Sequence, residues 1–354
     1  MSARRTEDVS HDLTEGFSRI GLGTLVSRVT GFAREVVTAA LFGAGTEMDI
    51  FVAAFTIPNL LCRILGETAV ESAFMPLFKG LHARGERERA WRLAGRVFTN
   101  LALVLVVVVL VGALVAPFLV RIVARGFTGE TFASAVNMTR LMFPFGLLIG
   151  LAAFMGAVLL AFRRFRVYSL APVLLNVGII ASVLILSGRI SYYSLAVGVL
   201  LGGFLQFAVQ VPFVRRLAAA DGQVLRSGTL AVGDEDVRHV GRLTGPVVFA
   251  AAIQRVGVIV DRTIASFLVP GSISSLYYSF RIVHLPYAIL ALAAGRAVAP
   301  LLAEQHATGD HEGIPALRCL RATDELRVPD PGRRSVGLAR PPDRRHHLPA
   351  RGLR

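Results

Sequence analysis

Four long runs without a charged residue constrain this chain more than any other feature. The run from Val97 to Val120 has 24 residues and no Asp, Glu, Lys or Arg, and 141–162, 167–188 and 190–214 are also uncharged. A helix rises about 1.5 Å per residue, so about 20 apolar residues cross the hydrocarbon core of a bilayer. Water-soluble domains do not carry several such runs. The chain is therefore predicted to be an all-α polytopic membrane protein.

Eight transmembrane spans are predicted in total. The polar sequence before residue 17 offers no short apolar segment followed by a small-residue cleavage site, so no cleavable signal peptide is expected. The predicted spans are 17–42, 48–79, 97–120, 138–162, 167–188, 190–214, 243–268 and 271–303.

The basic residues between these spans predict the orientation of the chain. Connections on one side hold sixteen Lys or Arg, and those on the other side hold three. Cytoplasmic loops of membrane proteins carry the excess of Lys and Arg. The N-terminus is therefore predicted to be cytoplasmic, and the net charge of +14 is explained by basic loops rather than by nucleic-acid binding.

Charged residues concentrate in the first, second, seventh and eighth spans. An ionised side chain near the middle of a bilayer costs about 2.5–3.5 kcal/mol, so such groups face a cavity or a partner rather than lipid. These four spans are predicted to line a polar cavity, with the third to sixth spans packed outside one side of it. The candidate cavity residues are Arg28, Arg34, Arg63, Arg255, Arg262, Arg281, Arg296, Glu35, Asp49, Glu67, Glu71 and Asp261.

The excess of arginine in this set favours an anionic substrate. Seven arginines stand against five carboxylates, and the planar guanidinium binds phosphate through paired hydrogen bonds. Arg281 is the strongest candidate outside the first two spans, because it follows Tyr277 and Tyr278 and its own span offers no carboxylate nearby.

Structural alternatives stand beside several candidates. Arg63, Glu67 and Glu71 are spaced at four-residue intervals and could simply pair with one another on one helix face. Asp49 could be only the N-cap of the second span.

Two further alternatives concern the first and seventh spans. Arg28 and Arg34 are six residues apart, about 240° around a straight helix, so both reach the cavity only if the helix bends at Gly31. Arg262 could form an ion pair with its neighbour Asp261 at the outer rim.

No motif of a known catalytic site is present, and the chain is not expected to be an enzyme. The sequence has no P-loop, no GxSxG, no HExxH and no Cys/His metal spacing. Its two cysteines, Cys62 and Cys319, support neither a disulfide framework nor a metal cluster.

Two long stretches resemble the MurJ/MviN lipid II flippase family of the MOP superfamily. The first is SRVTGFAREVVTAALFGAG, followed by DIFVAAFTIPNLL and FMPLF; the second is VDRTIASFL, followed by GSISSLYYSFRIVHLP. The resemblance runs from about residue 17 to about residue 315. It implies two six-helix lobes around a cavity lined by the first, second, seventh and eighth helices, which agrees with the charge distribution.

The resemblance also implies a function. Family members move the undecaprenyl-pyrophosphate-linked peptidoglycan precursor, lipid II, to the outer leaflet of the bacterial inner membrane by alternating access. By motif match, Arg28, Arg34, Arg63 and Arg281 would bind the pyrophosphate. Asp49 and Glu67 would orient arginines or form gates, and Asp261 would match part of a sodium site found in some members. No cofactor other than such a sodium ion is implied.

The implied partners are the lipid-linked precursor, membrane lipids, and proteins of cell-wall synthesis and division. Many members have two arginines where this chain has Cys62 and Arg63, so one phosphate contact is expected to be missing. Another lipid-oligosaccharide flippase, a drug exporter, a non-transporting scaffold and an inactive truncated fragment remain as alternatives.

The domain organisation follows from the spans and the resemblance. The family has about fourteen helices, and eight are predicted here. The tail from about Arg318 is rich in Arg and Pro, so it is expected to be disordered or translated out of frame. The predicted segments are an N-terminal tail (1–16), an N-lobe of six helices (17–216), a cytoplasmic loop (217–242), the first two helices of a C-lobe (243–305) and a polar tail (306–354).

Overall fold

Helices account for all the regular structure in the part of the chain that the computed structural model describes, which is residues 23–62, 64, 66, 70–224, 235–284 and 286. This confirms the all-α architecture. In chain order the elements are α1 (23–42), α2 (Thr46–Cys62), a π-helical turn (Val70–Phe74), α3 (Met75–Ala83), α4 (Arg87–Leu114), α5 (Ala116–Val123), α6 (Gly129–Ala161), α7 (Phe165–Ile190), α8 (Tyr193–Ala220), α9 (Glu235–Ala265) and α10 (272–284).

Five of the described helices are long and apolar enough to cross a membrane: α4, α6, α7, α8 and α9. They correspond to the third to seventh predicted spans. α1 carries three charged residues and is not among them. α2 and α10 belong to the second and eighth predicted spans, parts of which lie outside the described residues, as does the predicted polar tail.

Two boundaries differ from the sequence-based prediction. The predicted span 97–120 is divided, because α4 ends at Leu114 and α5 starts after a break at Val115. Pro117 lies in the first turn of α5. Backbone N–H groups in a first turn have no acceptor within the helix, so proline loses no hydrogen bond there, and its fixed φ suits a helix start. α9 begins at Glu235, inside the segment 217–242 that is predicted as a loop.

α6 forms the centre of the described bundle. Its most apolar stretch is 61% buried, against 39% or less in the other four candidate spans. Phe143 and Phe145 belong to an apolar cluster that includes Met48 and Phe51 of α2. A second cluster, nearer the other end of α6, joins Phe154 to the π-helical turn, α3 and α4. The charged helices α1 and α2 are thereby placed against an apolar support.

Glycines bring α7 and α8 into backbone contact. A Cβ atom added to Gly178 would lie 2.6 Å from Cα of Gly202, and one added to Gly202 would lie 2.6 Å from the carbonyl oxygen of Leu175. Small residues at such positions let membrane helices approach closely enough for dense packing. The helix pair therefore depends on the absence of side chains at this crossing.

The substitution Gly178→Ala tests this contact. Overpacking of a tight interface costs about 1–3 kcal/mol, so we expect the free energy of unfolding to fall by that amount. Gly188→Ala is the matched control, since Gly188 is in the same helix and faces open space. The measurement is denaturant unfolding of the purified chain in detergent. Equal stability of the two variants would contradict the proposed packing.

Candidate functional site

A buried carboxylate on α1 is the centre of the candidate site. Glu35 is 8% exposed. Its Oε1 atom accepts a hydrogen bond from the hydroxyl of Tyr277 at 2.9 Å and lies 3.4 Å from Nε of Arg281. The same oxygen is ion-paired with the guanidinium of Arg34. One carboxylate therefore holds two arginines, from α1 and α10, at the same point.

Arg281 keeps capacity for a ligand within this cluster. Its guanidinium lies over the ring of Tyr277, 5.1 Å from the ring centroid, and its Nη2 is 3.4 Å from the Tyr277 hydroxyl. The side chain remains 49% exposed. A guanidinium has five N–H donors, and those not used here are available to an anion. The span that contains Arg281 offers no carboxylate nearby, and Glu35 of α1 supplies one.

Asp49 ties α2 to the start of α10. Its two carboxylate oxygens accept hydrogen bonds from the backbone N–H groups of Gly271 and Ser274, each at 2.7 Å, and the residue is 4% exposed. A negative charge at a helix N-terminus satisfies otherwise unpaired N–H groups and interacts favourably with the helix dipole. α2 already begins at Thr46, so Asp49 is not the N-cap of its own helix; it caps α10 instead.

A third connection runs between α9 and α10 through Arg262. This residue is 7% exposed, donates from Nη1 to the carbonyl oxygen of Ile273 at 2.8 Å, and lies 5.6 Å from the ring centroid of Tyr277. Asp261, the partner proposed in the rim ion-pair alternative, is exposed on α9, whereas the buried guanidinium of Arg262 donates to α10. Tyr277 thus lies between two arginine guanidinium groups.

Asp261, the predicted sodium ligand, is exposed on α9. No group of three or more His, Cys, Asp or Glu side chains that could hold a metal occurs among the described residues. An exposed single carboxylate such as Asp261 does not fit a sodium site by itself, since hard cations take several oxygen ligands.

Arg28, a predicted pyrophosphate ligand among the described residues, is not gathered with Glu35. Arg28 is exposed and makes no hydrogen bond or ion pair with another described residue. α1 is helical without interruption from 23 to 42. Its Gly31 lies against α7, because a Cβ atom added to Gly31 would be 3.5 Å from Nδ2 of Asn176. Arg28 and Arg34 therefore do not converge. Arg63 and Glu67, with the side chain of Glu71, lie outside the described residues.

Two residues of the cluster are missing from the predicted site. Glu35 appears only among the general cavity charges, and Tyr277 only as a neighbour of Arg281. The available signal was the excess of arginine over carboxylate in these spans, which favours a carboxylate that serves more than one cation.

A separate polar cluster lies at the opposite, basic end of the bundle. Asp221, which follows α8, contacts Nε2 of His82 at 3.0 Å, accepts a hydrogen bond from Nε1 of Trp91 at 2.9 Å and lies 3.4 Å from Arg87. Burial alone would raise the pKa of Asp221, but the hydrogen bonds of Trp91 and His82, with the charges of His82 and Arg87, outweigh burial and lower the pKa. This cluster joins the end of α8 to α3 and α4.

Known proteins resemble this chain in sequence. The model of a family described as "Lipid II flippase MurJ" matches residues 38–321. A protein named "Probable lipid II flippase MurJ" from Haemophilus influenzae is 34% identical over 294 residues, 80% of this chain and 57% of the relative. A "Lipid II flippase MurJ" from Burkholderia cenocepacia is 35% identical over 298 residues, 83% of this chain and 58% of the relative. The chain thus spans less than two thirds of the length of these relatives.

Solved structures give a consistent result. A "Lipid II flippase MurJ, inward closed conformation" superposes with a TM-score of 0.68 at 24% identity, over 83% of this chain and 59% of that one. A MOP superfamily transporter from Pyrococcus furiosus superposes with a TM-score of 0.56 at 14% identity, over 80% and 63%. At these identities the likeness establishes the fold, which is of the MOP type predicted from the sequence.

Substitution of Asp49 tests the link between α2 and α10. Asp49→Ala leaves two buried backbone N–H groups without their acceptor, so we expect the free energy of unfolding to fall by about 1–3 kcal/mol. Asp261→Ala, at an exposed position of α9, should change it by less than about 0.5 kcal/mol. Unfolding of both variants is followed in detergent. If Asp49→Ala leaves the free energy of unfolding unchanged, the cap does not hold α10.

Proposed function

The chain belongs to the MurJ family of lipid II flippases, and on that premise we propose that it takes part in moving lipid-linked peptidoglycan precursor across the bacterial inner membrane. The family model covers residues 38–321, and the apolar helices make the chain a multi-pass membrane protein. The proposed movement is from the cytoplasmic to the outer leaflet by alternating access, with the N-terminus in the cytoplasm. The proposal concerns transport without bond cleavage.

The observation that carries the proposal is the pair of arginines held by Glu35. Arg34 and Arg281 share one carboxylate, so these three side chains together keep a net positive charge. A pyrophosphate group supplies several negatively charged oxygens, and arginine binds such oxygens in pairs. Arg63 is proposed as a further contact of the same headgroup, and Glu67 as an orienting residue.

Alternating access requires contacts that close one side of the cavity and can be released. Polar contacts of this kind connect α1 and α2 with α10: Glu35 with Tyr277 and Arg281, and Asp49 with the first turn of α10. In the predicted orientation, the Asp49 contact lies at the outer end of the bundle. We infer that these contacts close the outer side, and that a pyrophosphate competing for the arginines weakens the hold of Glu35 on α10.

The proposal applies to the family fold as a whole. The chain spans 57% and 58% of the two relatives described above, and we propose that its helices form one lobe and the start of a second. Proteins of cell-wall synthesis and division are proposed partners of the whole flippase. No sodium-dependent step is proposed from Asp261.

A drug exporter with the same fold is the second candidate. Transporters of the multidrug MATE family superpose with TM-scores of about 0.54. Hydrophobic drug cations do not require two arginines around one carboxylate, so the charge of the cluster favours an anionic lipid over a cationic drug.

Binding of undecaprenyl pyrophosphate to the purified chain tests the function. We expect Arg281→Ala to weaken binding about tenfold, the effect of losing one charge-assisted contact, and to make the remaining binding less sensitive to added salt. Arg189→Ala is the matched control, because Arg189 is an exposed arginine in the last turn of α7. Equal binding by both variants would contradict the proposed pyrophosphate site.

Complementation separates transport from scaffolding. Cells depleted of their own flippase would receive the chain or its Arg281→Ala variant. A transporter that needs this arginine fails to support growth once Arg281 is replaced. A scaffold retains its effect in both forms, and a chain that never restores growth supports the inactive-fragment alternative.

A further inference from the structure

A concavity at the end of the bundle predicted to face outside is not part of the Glu35 cluster. It has a volume of about 730 Å³ and lies between α5, the loop that follows it and the start of α6. Two arginines, Arg121 and Arg125, line it together with three phenylalanines, Phe118, Phe127 and Phe132. The site therefore combines positive charge with aromatic surface.

The positive charge in this concavity is not neutralised by the described protein. Arg121 and Arg125 are exposed and form no ion pair with a described carboxylate. The guanidinium carbon of Arg121 lies 5.4 Å from the ring centroid of Phe132, which orients the group without reducing its charge. Glu130, in the first turn of α6, is exposed and pairs with neither arginine.

The concavity is continuous along the chain with a helix face that is largely uncovered in the described structure. α4 is the most hydrophobic of the candidate spans, and only 17% of its most apolar stretch is buried. Its exposed apolar residues include Leu110, Val111 and Leu114, and Phe118 of α5 follows at 66% exposure. Acyl chains lying on this face would bring their headgroup to the two arginines.

We propose that Arg121 and Arg125 bind the phosphate of an anionic phospholipid whose acyl chains lie along the exposed face of α4. A free phosphate ion would use the arginines but gain nothing from Phe118 or from α4, because only acyl chains benefit from apolar surface. A zwitterionic lipid would bring a positive group toward two unpaired arginines. The lipid site is on different helices from the Glu35 cluster. The proposal of a lipid site therefore does not depend on the proposed flippase function.

Occupation of this site has a structural consequence for α9. The segment that carries the two arginines also docks the end of α9: Oγ1 of Thr263 donates to the carbonyl oxygen of Ile122 at 2.7 Å, and the N–H of Gly126 donates to Oγ of Ser266 at 3.0 Å. A lipid that orders residues 121–126 therefore stabilises the docked position of α9.

Native mass spectrometry of the purified full chain tests the proposal. The chain is mixed with phosphatidylglycerol or with phosphatidylcholine of the same acyl chains. We expect wild type to retain phosphatidylglycerol about tenfold better, and Arg121→Gln/Arg125→Gln to lose this preference. Arg215→Gln/Arg216→Gln is the control, since these arginines are also exposed and Arg216 lies 5.9 Å from the ring of Phe213.

Two further variants and a competition with phosphate identify the ligand and control for misfolding. Arg121→Lys/Arg125→Lys keeps both charges and should keep most of the preference, whereas Arg281→Ala should keep all of it. Inorganic phosphate should not displace the lipid. The proposal is overturned if the Gln pair retains the preference, if the control pair or Arg281→Ala loses it equally, or if phosphate alone competes.

Discussion

The carboxylate of Glu35 is the interaction on which the described site depends. An isolated charge in a bilayer is costly, and two arginines placed together would also repel each other. Glu35 removes both problems by accepting from Tyr277 and pairing with Arg34 and Arg281. The result is a cluster with more positive than negative charge that is stable without a ligand yet has donors left for one. Such a cluster suits the pyrophosphate binding that we propose for it.

The same contacts join parts of the chain that are far apart in sequence. α1 and α2 pack on the apolar support around α6. α9 and α10 join the same apolar cluster through Ala265 and Ile273, and polar contacts add to this, such as those of Asp49 with the first turn of α10. Little of α9 is buried, since none of its most apolar stretch is covered in the described structure. Polar contacts can be exchanged for contacts to a ligand at small net cost, whereas a packed apolar core cannot. The polar contacts of α10 are therefore the ones that we propose are released in the proposed transport cycle.

The sequence predicts the helical architecture well because hydropathy is a local property. Uncharged runs identify the third to sixth spans, although the break at Val115 escapes notice since both sides of it are apolar. Charge patterning also predicts that four spans share a polar site. It does not predict which charged side chains form ion pairs, because Glu35 and Arg281 come together only in the folded chain. Asp49 shows the same limit, because a carboxylate near a helix start can cap its own helix or another one, and only the packing decides.

A double-mutant cycle between Glu35 and Arg281 tests the central claim most directly. Unfolding in detergent is measured for wild type, Glu35→Gln, Arg281→Gln and the double variant, with Arg189→Gln replacing Arg281→Gln in a control cycle. Directly interacting residues show coupling energies of about 0.5–3 kcal/mol, and distant ones add independently. The account predicts a coupling of about 1 kcal/mol for Glu35 with Arg281 and none for the control pair. Additive effects in both cycles would show that Glu35 does not hold α10, and would contradict the account.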